Sequence, residues 1–262
     1  MQKSTLSLLW FLLGWSTLFA QSDSLPTFSP DRPTQSISPV LVGKTFFQIE
    51  TGAMYTNRED DVSERRSLSI GTTLLRYGVL SNLELRLESG FESTQLDSVN
   101  TPFDTAYSGL GAVSAGFKVF ICEEKGIRPA LAIVGSITFR HLGNENFAPT
   151  YSYPIGKLAA SHALSKQWSL GYNIGFAYNG ETPDGFFVYS IFTGYKISEH
   201  LWSFAEVYGK FDHGDFPRHR LDGGFTYLLR KNLQIDLTGG YGLNKEVKRF
   251  FINGGVSWRI PK

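Results

Sequence analysis

The amino-acid sequence predicts an all-β protein, a transmembrane up-and-down antiparallel β-barrel of about twelve strands. Apolar and polar residues alternate with a period of two through most of the chain after residue 43. Phe, Trp and Tyr make up 15% of the 262 residues and there are 27 glycines, a composition that suits pleated, strongly curved sheets. Short tight turns alternate with longer polar stretches, which is typical of barrels that cross a membrane with strands.

The alternation is clearest in four segments of about ten residues, namely 83–91, 168–178, 233–241 and 250–260. In the first, three leucines share one face of the predicted strand, whereas Glu84, Arg86 and Glu88 share the other. One such strand could lie on the core of a soluble protein. Four of them, each long enough to cross a bilayer with tilt, favour membrane-spanning strands.

Counting segments of this kind places strands at 45–55, 67–77, 83–92, 108–120, 128–139, 151–163, 168–178, 186–197, 201–211, 218–229, 233–242 and 249–260. The polar stretches between them are predicted as loops, and the first two cover residues 56–66 and 93–107. An even number of strands returns both ends of the barrel to the periplasmic side. Residues 44–262 are therefore assigned to one barrel domain.

A β-sandwich is the alternative fold, because two sheets could bury the apolar faces against each other. Strands of ten to twelve residues are about twice the usual length, which disfavours it. Aromatic residues also cluster at predicted strand ends, as in the interfacial girdles of membrane barrels. Closure is also what lipid demands, since an open sheet edge would leave backbone groups unpaired in hydrocarbon.

The first 43 residues divide into two parts. Lys3, a short apolar run at 6–19 and Ala20 predict a signal peptide over residues 1–20, because the run is shorter than a membrane-spanning helix. Residues 21–43 contain four prolines and cannot sustain a ladder or a helix, so we expect an extended periplasmic lead-in or partial plug. Asp31, Arg32 and Pro33 are its predicted plug motif, and we expect Asp31 and Arg32 to pair with lumen charges such as Glu84 or Arg86. The single cysteine, Cys122, excludes an intramolecular disulfide.

A set of charged residues falls on the faces opposite the apolar ones and is predicted to line the lumen. Its members are Glu50, Arg76, Glu84, Arg86, Glu88, Lys118, Lys157, Glu206, Lys210, Arg220, Asp222, Asp236 and Arg259. Paired charges could simply fill a narrow barrel, or they could line a path for solutes. We favour a narrow or gated lumen, since twelve strands lie between the filled eight-stranded barrels and the wide porins. Five aromatic residues share this inward register, which leaves open a path for apolar or aromatic solutes: Phe186, Phe192, Phe204, Tyr208 and Phe251.

Three stretches resemble a known family. Residues 31–36 (DRPTQS), 43–52 (GKTFFQIETG) and 75–86 (LRYGVLSNLELR) are similar to the start and the second and third strands of outer-membrane, transporter-like β-barrel proteins labelled with the meta-pathway of phenol degradation. The resemblance implies an outer-membrane barrel with a transport role and identifies no substrate. Barrels of this kind often end on an aromatic residue that is recognised during assembly, whereas here Trp258 lies four positions before the end.

Candidate catalytic and metal-binding groups are few. Ser161 and His162 are adjacent, so on a strand they point to opposite faces and cannot form a nucleophile–base pair. Asp212, His213 and Asp215, with His219 nearby, are read as a solvated loop, because no ligand spacing supports a metal site. Gly109 and Gly111 resemble part of a dinucleotide fingerprint, but the third glycine and the following helix are missing. We therefore expect no enzyme activity, no metal and no cofactor.

Two classes of function remain from the sequence. The first is a passive channel or transporter for small solutes, which could include apolar or aromatic molecules. The second is a structural or adhesive barrel without transport, and a barrel-based hydrolase is the weaker alternative. The expected partners are outer-membrane lipid, a small solute and the barrel-assembly machinery, and a net charge of +1 gives no reason to expect nucleic acid. The expected location is the bacterial outer membrane, after export through the periplasm and removal of the signal peptide.

Overall fold

The structure is a computed structural model that describes residues 26–59, 63–98, 105–182, 184–211, 218–243 and 248–261. Statements below about what is present or absent concern these ranges. The predicted signal peptide (1–20) and the cluster of Asp212, His213 and Asp215 lie outside the described residues.

Thirteen β-strands follow the N-terminal segment in the described part of the chain. They are β1 (Phe47–Glu59), β2 (Ser63–Leu80), β3 (Leu83–Ser98), β4 (Thr105–Leu110), β5 (Val113–Cys122), β6 (Ala130–Phe139), β7 (Tyr153–Ala163), β8 (Trp168–Tyr178), β9 (Gly185–Lys196), β10 (Leu201–Phe211), β11 (Arg218–Arg230), β12 (Leu233–Gly242) and β13 (Lys248–Arg259).

These strands form one closed antiparallel sheet. Each strand pairs with its neighbours in sequence, except that β4 pairs only with β3 and β5 pairs with β3 and β6. Strand β1 pairs with β13 from Gln48 opposite Arg259 to Glu59 opposite Lys248, which closes the barrel. The barrel has twelve strands, with β4 as an additional strand. Closure confirms the predicted barrel, and the sandwich alternative is wrong.

The predicted strand 108–120 is interrupted, and this interruption accounts for the additional strand. Both β4 and β5 pair with β3, on either side of a break at Gly111. At the break the next loop supplies the missing hydrogen bonds: Asn144 N donates to Leu110 O at 2.7 Å and Val113 N donates to Leu142 O at 3.1 Å. The sequence pattern alone contains no sign of this loop folding back onto the strand.

The first two predicted loops, 56–66 and 93–107, are largely wrong. Strand β1 continues to Glu59, β2 already begins at Ser63 and β3 continues to Ser98. Polar pairs hold these extensions: Asn57 donates to Glu64 at 2.8 Å, and Arg66 lies 3.2 Å from Asp97. The polar composition of these stretches predicted loops. In the structure the strands continue there with polar side chains, beyond the apolar band.

The barrel is apolar outside and polar inside. Leu85 and Leu87 are 50% and 46% exposed, whereas Glu84, which precedes them, is fully buried. Arg76, Lys118, Gln48, Glu50, Glu84 and Glu206 are among the largest completely buried side chains. This arrangement is the reverse of a water-soluble core and matches an apolar outer band facing lipid. Nowhere in the described ranges is there a helix long and apolar enough to cross a bilayer.

Candidate functional site: the barrel interior and its N-terminal segment

Residues 26–43, here called the interior segment, form a loop that enters the barrel and returns. Both of its ends lie where the strands are joined by short turns, here called the short-turn end. At the start, Arg259 Nη1 donates to the carbonyl of Pro26 at 2.8 Å. On the way out, the backbone N–H of Thr45 donates to Gly78 O at 2.6 Å. Four prolines leave the segment without a ladder of its own, so its backbone groups must find partners on the barrel wall.

The predicted lumen residues face this interior. Eight of them are buried: Glu50, Arg76, Glu84, Lys118, Glu206, Asp222, Asp236 and Arg259. Arg86, Lys157, Lys210 and Arg220 are half-buried, and Glu88 is open to an interior cavity that it lines together with Arg86. The structure therefore surrounds the interior segment with most of the buried group and with Arg86, and leaves Glu88, Lys157, Lys210 and Arg220 beside open space.

Asp31 lies at the centre of a network of charges. Its carboxylate accepts hydrogen bonds from Arg86 Nη1 at 2.6 Å and from Lys118 Nζ at 3.0 Å, and Arg76 Nη1 is 3.8 Å away. Burial by itself would raise the pKa of Asp31, but the charges of Arg76, Lys118 and Arg86 hold that pKa well below its usual range. Asp31 is therefore ionised at neutral pH and bound to three cations.

The wall residues of this network also bind each other and the segment backbone. Arg76 donates to Glu84 at 2.8 Å and to Glu50 at 2.8 Å, and it also donates to the carbonyls of Ser29 and Val40. Glu50 Oε2 accepts the backbone N–H groups of residues 31 and 32, both at 2.8 Å. Because each charge of this network has an opposite charge or several hydrogen bonds, the network can persist without water.

Arg32 binds a different part of the wall. Its guanidinium donates to Asp236 at 3.0 Å and 3.3 Å and to Asn253 Oδ1 at 2.9 Å. The sequence suggested Glu84 or Arg86 as partners for Asp31 and Arg32. The structure pairs Asp31 with Arg86, whereas Arg32 binds Asp236 across the interior.

Two opposed glycines make room for Arg32. Gly52 and Gly255 face each other in the β1–β13 register, and a Cβ atom at either position would collide with the Arg32 guanidinium. A side chain here would displace Arg32 from Asp236. Sequence analysis did not single out these glycines, since an alternating pattern does not show which of them face a ligand or a segment.

The tip of the interior segment is held by neutral and acidic groups. Glu206 accepts the backbone N–H groups of Gln35 at 2.7 Å and Ser36 at 2.6 Å. Ser36 Oγ lies 2.7 Å from Ser190 Oγ. Asn173 accepts the N–H of residue 37 at 2.6 Å and donates to its carbonyl at 3.0 Å. Asn173 and Ser190 were missed from sequence, although their inward parity on β8 and β9 could have identified them.

Open space lies on both sides of the segment. A cavity of about 660 Å³ occupies the short-turn end, and cavities of about 310, 170 and 140 Å³ lie on the opposite side. Arg32, Pro33, Thr34 and Ile37 line both the 660 Å³ and the 310 Å³ cavity. The two compartments are therefore separated here by a single layer of chain.

The groups considered for catalysis are arranged as follows. His162 Nδ1 lies 3.3 Å from Glu124, and its Nε2 lies 3.4 Å from the hydroxyl of Tyr172 on the outward face of β8. His219 binds the Tyr189 hydroxyl at 2.7 Å. Cys122 is a free, half-buried thiol. Within the described ranges, no group of three or more potential metal ligands is present.

Comparison with known proteins places the chain in context. The sequence profile of a family described as "Putative MetA-pathway of phenol degradation" matches residues 30–260. No curated protein is significantly similar in sequence.

Among solved structures, an outer membrane channel from Pseudomonas putida F1 has a TM-score of 0.61 at 13% identity, covering 82% of this chain and 96% of that one. The translocator domain of the autotransporter NalP from Neisseria meningitidis has a TM-score of 0.55 at 12% identity, covering 83% and 90%. At such identities the likeness concerns the fold.

Proposed function

Since the chain belongs to the phenol-degradation family whose profile it matches, we propose that it is a passive outer-membrane channel for small solutes, closed by its own interior segment. The observation that carries the proposal is the single layer of chain between two cavities, of about 660 and 310 Å³, inside a closed barrel. A barrel that served only as a scaffold has no need of cavities on both sides of a removable segment.

The residues that close the path differ from those that build the wall. The barrel ladder is continuous without residues 26–43, because β1 pairs directly with β2 and β13. The segment is attached through side chains of the wall, above all Glu50, Arg32 with Asp236, and Glu206. Displacement of the segment would therefore open the interior without unzipping the barrel.

The location follows from the outer surface. Exposed large apolar side chains occur on almost every strand, for example Ile174 at 59% and Leu237 at 55%. Such a band would be costly in water and suits a bilayer. Residues 1–20 would act as the export signal and be removed. Fractionation should recover the mature chain with outer membranes, and recovery as a soluble periplasmic protein would contradict the proposal.

The solute is proposed only by class. The inward faces of β9, β10 and β13 carry aromatic rings, including Phe192 and Phe204, whose centroids are 5.8 Å apart, and the buried Phe251. Rings beside charged side chains suit small molecules that have an apolar body and a polar group. The competing function is a structural or adhesive barrel, whose interior would conduct nothing in any variant.

The experiment is a conductance measurement on the purified mature chain in planar bilayers. The intact protein should give small or rare conductance steps, and a variant lacking residues 21–36 should give larger and more frequent ones. A matched variant in which residues 21–36 are replaced by an equal number of Gly and Ser residues keeps the chain length, so it controls for the effect of shortening the chain and should conduct like the deletion. Absence of steps in both the intact and the deleted protein, with the barrel folded, would support the structural alternative.

A further inference from the structure

One of the smaller interior cavities is lined by several cationic side chains. The cavity of about 170 Å³ lies beyond the tip of the interior segment, between Gln35 and the inward faces of β7 to β11. Four cationic side chains line it, namely Lys157, Lys210, Arg218 and Arg220, and no carboxylate of the described residues does. The two nearest inward acids of β10 and β11, Glu206 and Asp222, lie one step toward the short-turn end. Glu206 is already bound to two N–H groups of the segment.

The inference depends on two of these cations. Lys210 and Arg218 have further partners. Lys157 and Arg220 take no part in the ion pairs formed within the described ranges, all of which involve other cations. Lys157 comes from β7 and Arg220 from β11, so the two reach the cavity from strands four positions apart in the sheet. A half-buried cation without an acidic partner is a ready site for an anion.

Apolar groups complete the lining. Tyr208 lines the cavity from β10 and is itself buried beneath the Arg220 guanidinium, whose carbon lies 5.9 Å from the ring centroid, and Val188 lines it from β9. Lys210 Nζ lies 4.3 Å from the centroid of Phe186, so the ring occupies the rim beside that cation. An apolar cavity of about 150 Å³ is enough to hold benzene, and this cavity therefore has room for one six-membered ring.

We infer that this cavity is a binding subsite for a small aromatic anion, a single ring that carries a carboxylate or a comparable acidic group. Its acidic group lies between Lys157 and Arg220, and its ring lies against Tyr208 and Val188. The inference rests on the proposed function in one respect, namely that the bound molecule is a solute on its way through the barrel.

The floor of the subsite is formed by the tip of the interior segment and the wall residues that hold it. Gln35 lines the cavity, and so do Ser190 and Asn173, which hold residues 36 and 37 of the interior segment. A ligand in the subsite therefore touches the groups that fasten the tip of the segment. The subsite would concentrate the solute directly above the layer that must move.

The test is calorimetric titration of the detergent-purified mature chain with benzoate, benzamide and acetate. Benzamide has the ring without the charge, and acetate has the charge without the ring. Benzoate should bind saturably, and both analogues should bind at least about tenfold more weakly, as loss of one charge-assisted hydrogen bond or one buried ring implies. Lys157→Gln and Arg220→Gln should each weaken benzoate about tenfold. Arg65→Gln, which removes an exposed arginine of β2, should leave it unchanged.

Each other result has a definite meaning. Equal binding of benzamide would overturn the anionic assignment, and equal binding of acetate would overturn the aromatic one. Unchanged benzoate affinity in Lys157→Gln and Arg220→Gln would overturn the location, provided that heat-modifiable migration shows both variants to be folded. The channel itself is judged separately by bilayer conductance, so benzoate binding without conductance refutes the channel and leaves the subsite, and the converse refutes only the subsite.

Discussion

Arg32 and Asp236 form an ion pair between residues 204 positions apart in sequence, with 3.0 Å between Nη2 and Oδ1. The Asp236 side chain is completely buried and that of Arg32 is 14% exposed. The pair joins the interior segment to β12, whereas Asp31 next to Arg32 binds β3 and β5. Two adjacent residues of opposite charge thus fasten the segment to two separate regions of the wall.

Removal of the Asp236 charge should loosen the segment. In Asp236→Asn, Arg32 loses its anionic partner and becomes a poorly compensated, partly buried charge. Removing one partner of a buried ion pair is destabilising by about 3–5 kcal/mol. Because Arg32 can leave with the segment, the cost should be relieved by displacement rather than by unfolding. Conductance in planar bilayers should increase, and the folded fraction on detergent gels should be maintained. Asp97→Asn, which breaks the exposed pair with Arg66, is the matched control, and equal effects of the two variants would contradict this role of Arg32.

A single methyl group should have the same effect from the opposite side. In Gly255→Ala the new Cβ meets the end of the flexible Arg32 side chain, so Arg32 must move while the β1–β13 ladder remains. Conductance should increase and heat-modifiable migration should stay normal. Gly254→Ala is the neighbouring control, because its Cβ would meet only Asp236 O at 3.5 Å and Leu237 Cδ1 at 3.7 Å, which are ordinary contacts. If Gly254→Ala opened the channel as much as Gly255→Ala, the cause would be strand geometry and not Arg32.

Two neighbouring residues of β8 should separate folding from gating. Ile174, near the middle of the strand, is 59% exposed and faces outward, whereas Asn173 binds the interior segment. Ile174→Arg should cost about 2–4 kcal/mol near the bilayer midplane, a large part of a typical margin of about 5–15 kcal/mol, so refolding yield into lipid should fall. Asn173→Ala should refold normally and conduct more. The reverse outcome would mean that the inward and outward faces of β8 are exchanged.

The closed state should be insensitive to pH until strongly acidic conditions. Burial by itself would raise the pKa of Asp31. When the segment is docked, the charges of Arg76, Lys118 and Arg86 nevertheless lower that pKa from its usual 3.8. A lowered pKa means that the contribution of Asp31 is complete above 3.8 and is lost only as the pH falls through the lowered value. The conductance difference between wild type and Asp31→Asn should therefore be constant between about pH 5 and pH 8, and should shrink below pH 3.8. A difference that already vanished near pH 6 would show that another group controls docking.

The sequence by itself determined the fold class, the number of barrel strands and the parity of the inward charges. Alternation with a period of two fixes which residues share a face, and lipid then requires that the polar face lie inside a closed sheet. Glu84 with Leu85, and Asp236 with Leu237, could be assigned to opposite faces on that ground alone. The starts of two strands that follow short turns, Leu83 and Trp168, were predicted to the residue.

Only the tertiary structure decided which interior charges meet. Arg32 could have bound any inward acid, and its choice of Asp236 depends on how the loop of residues 26–43 threads the barrel and on the space left by Gly52 and Gly255. The cationic cavity around Lys157 and Arg220 likewise exists because closure brings β7 and β11 to one interior. A periodic pattern specifies the direction of each side chain, but the distance between side chains of non-adjacent strands is set by closure, shear and the segment that fills the interior.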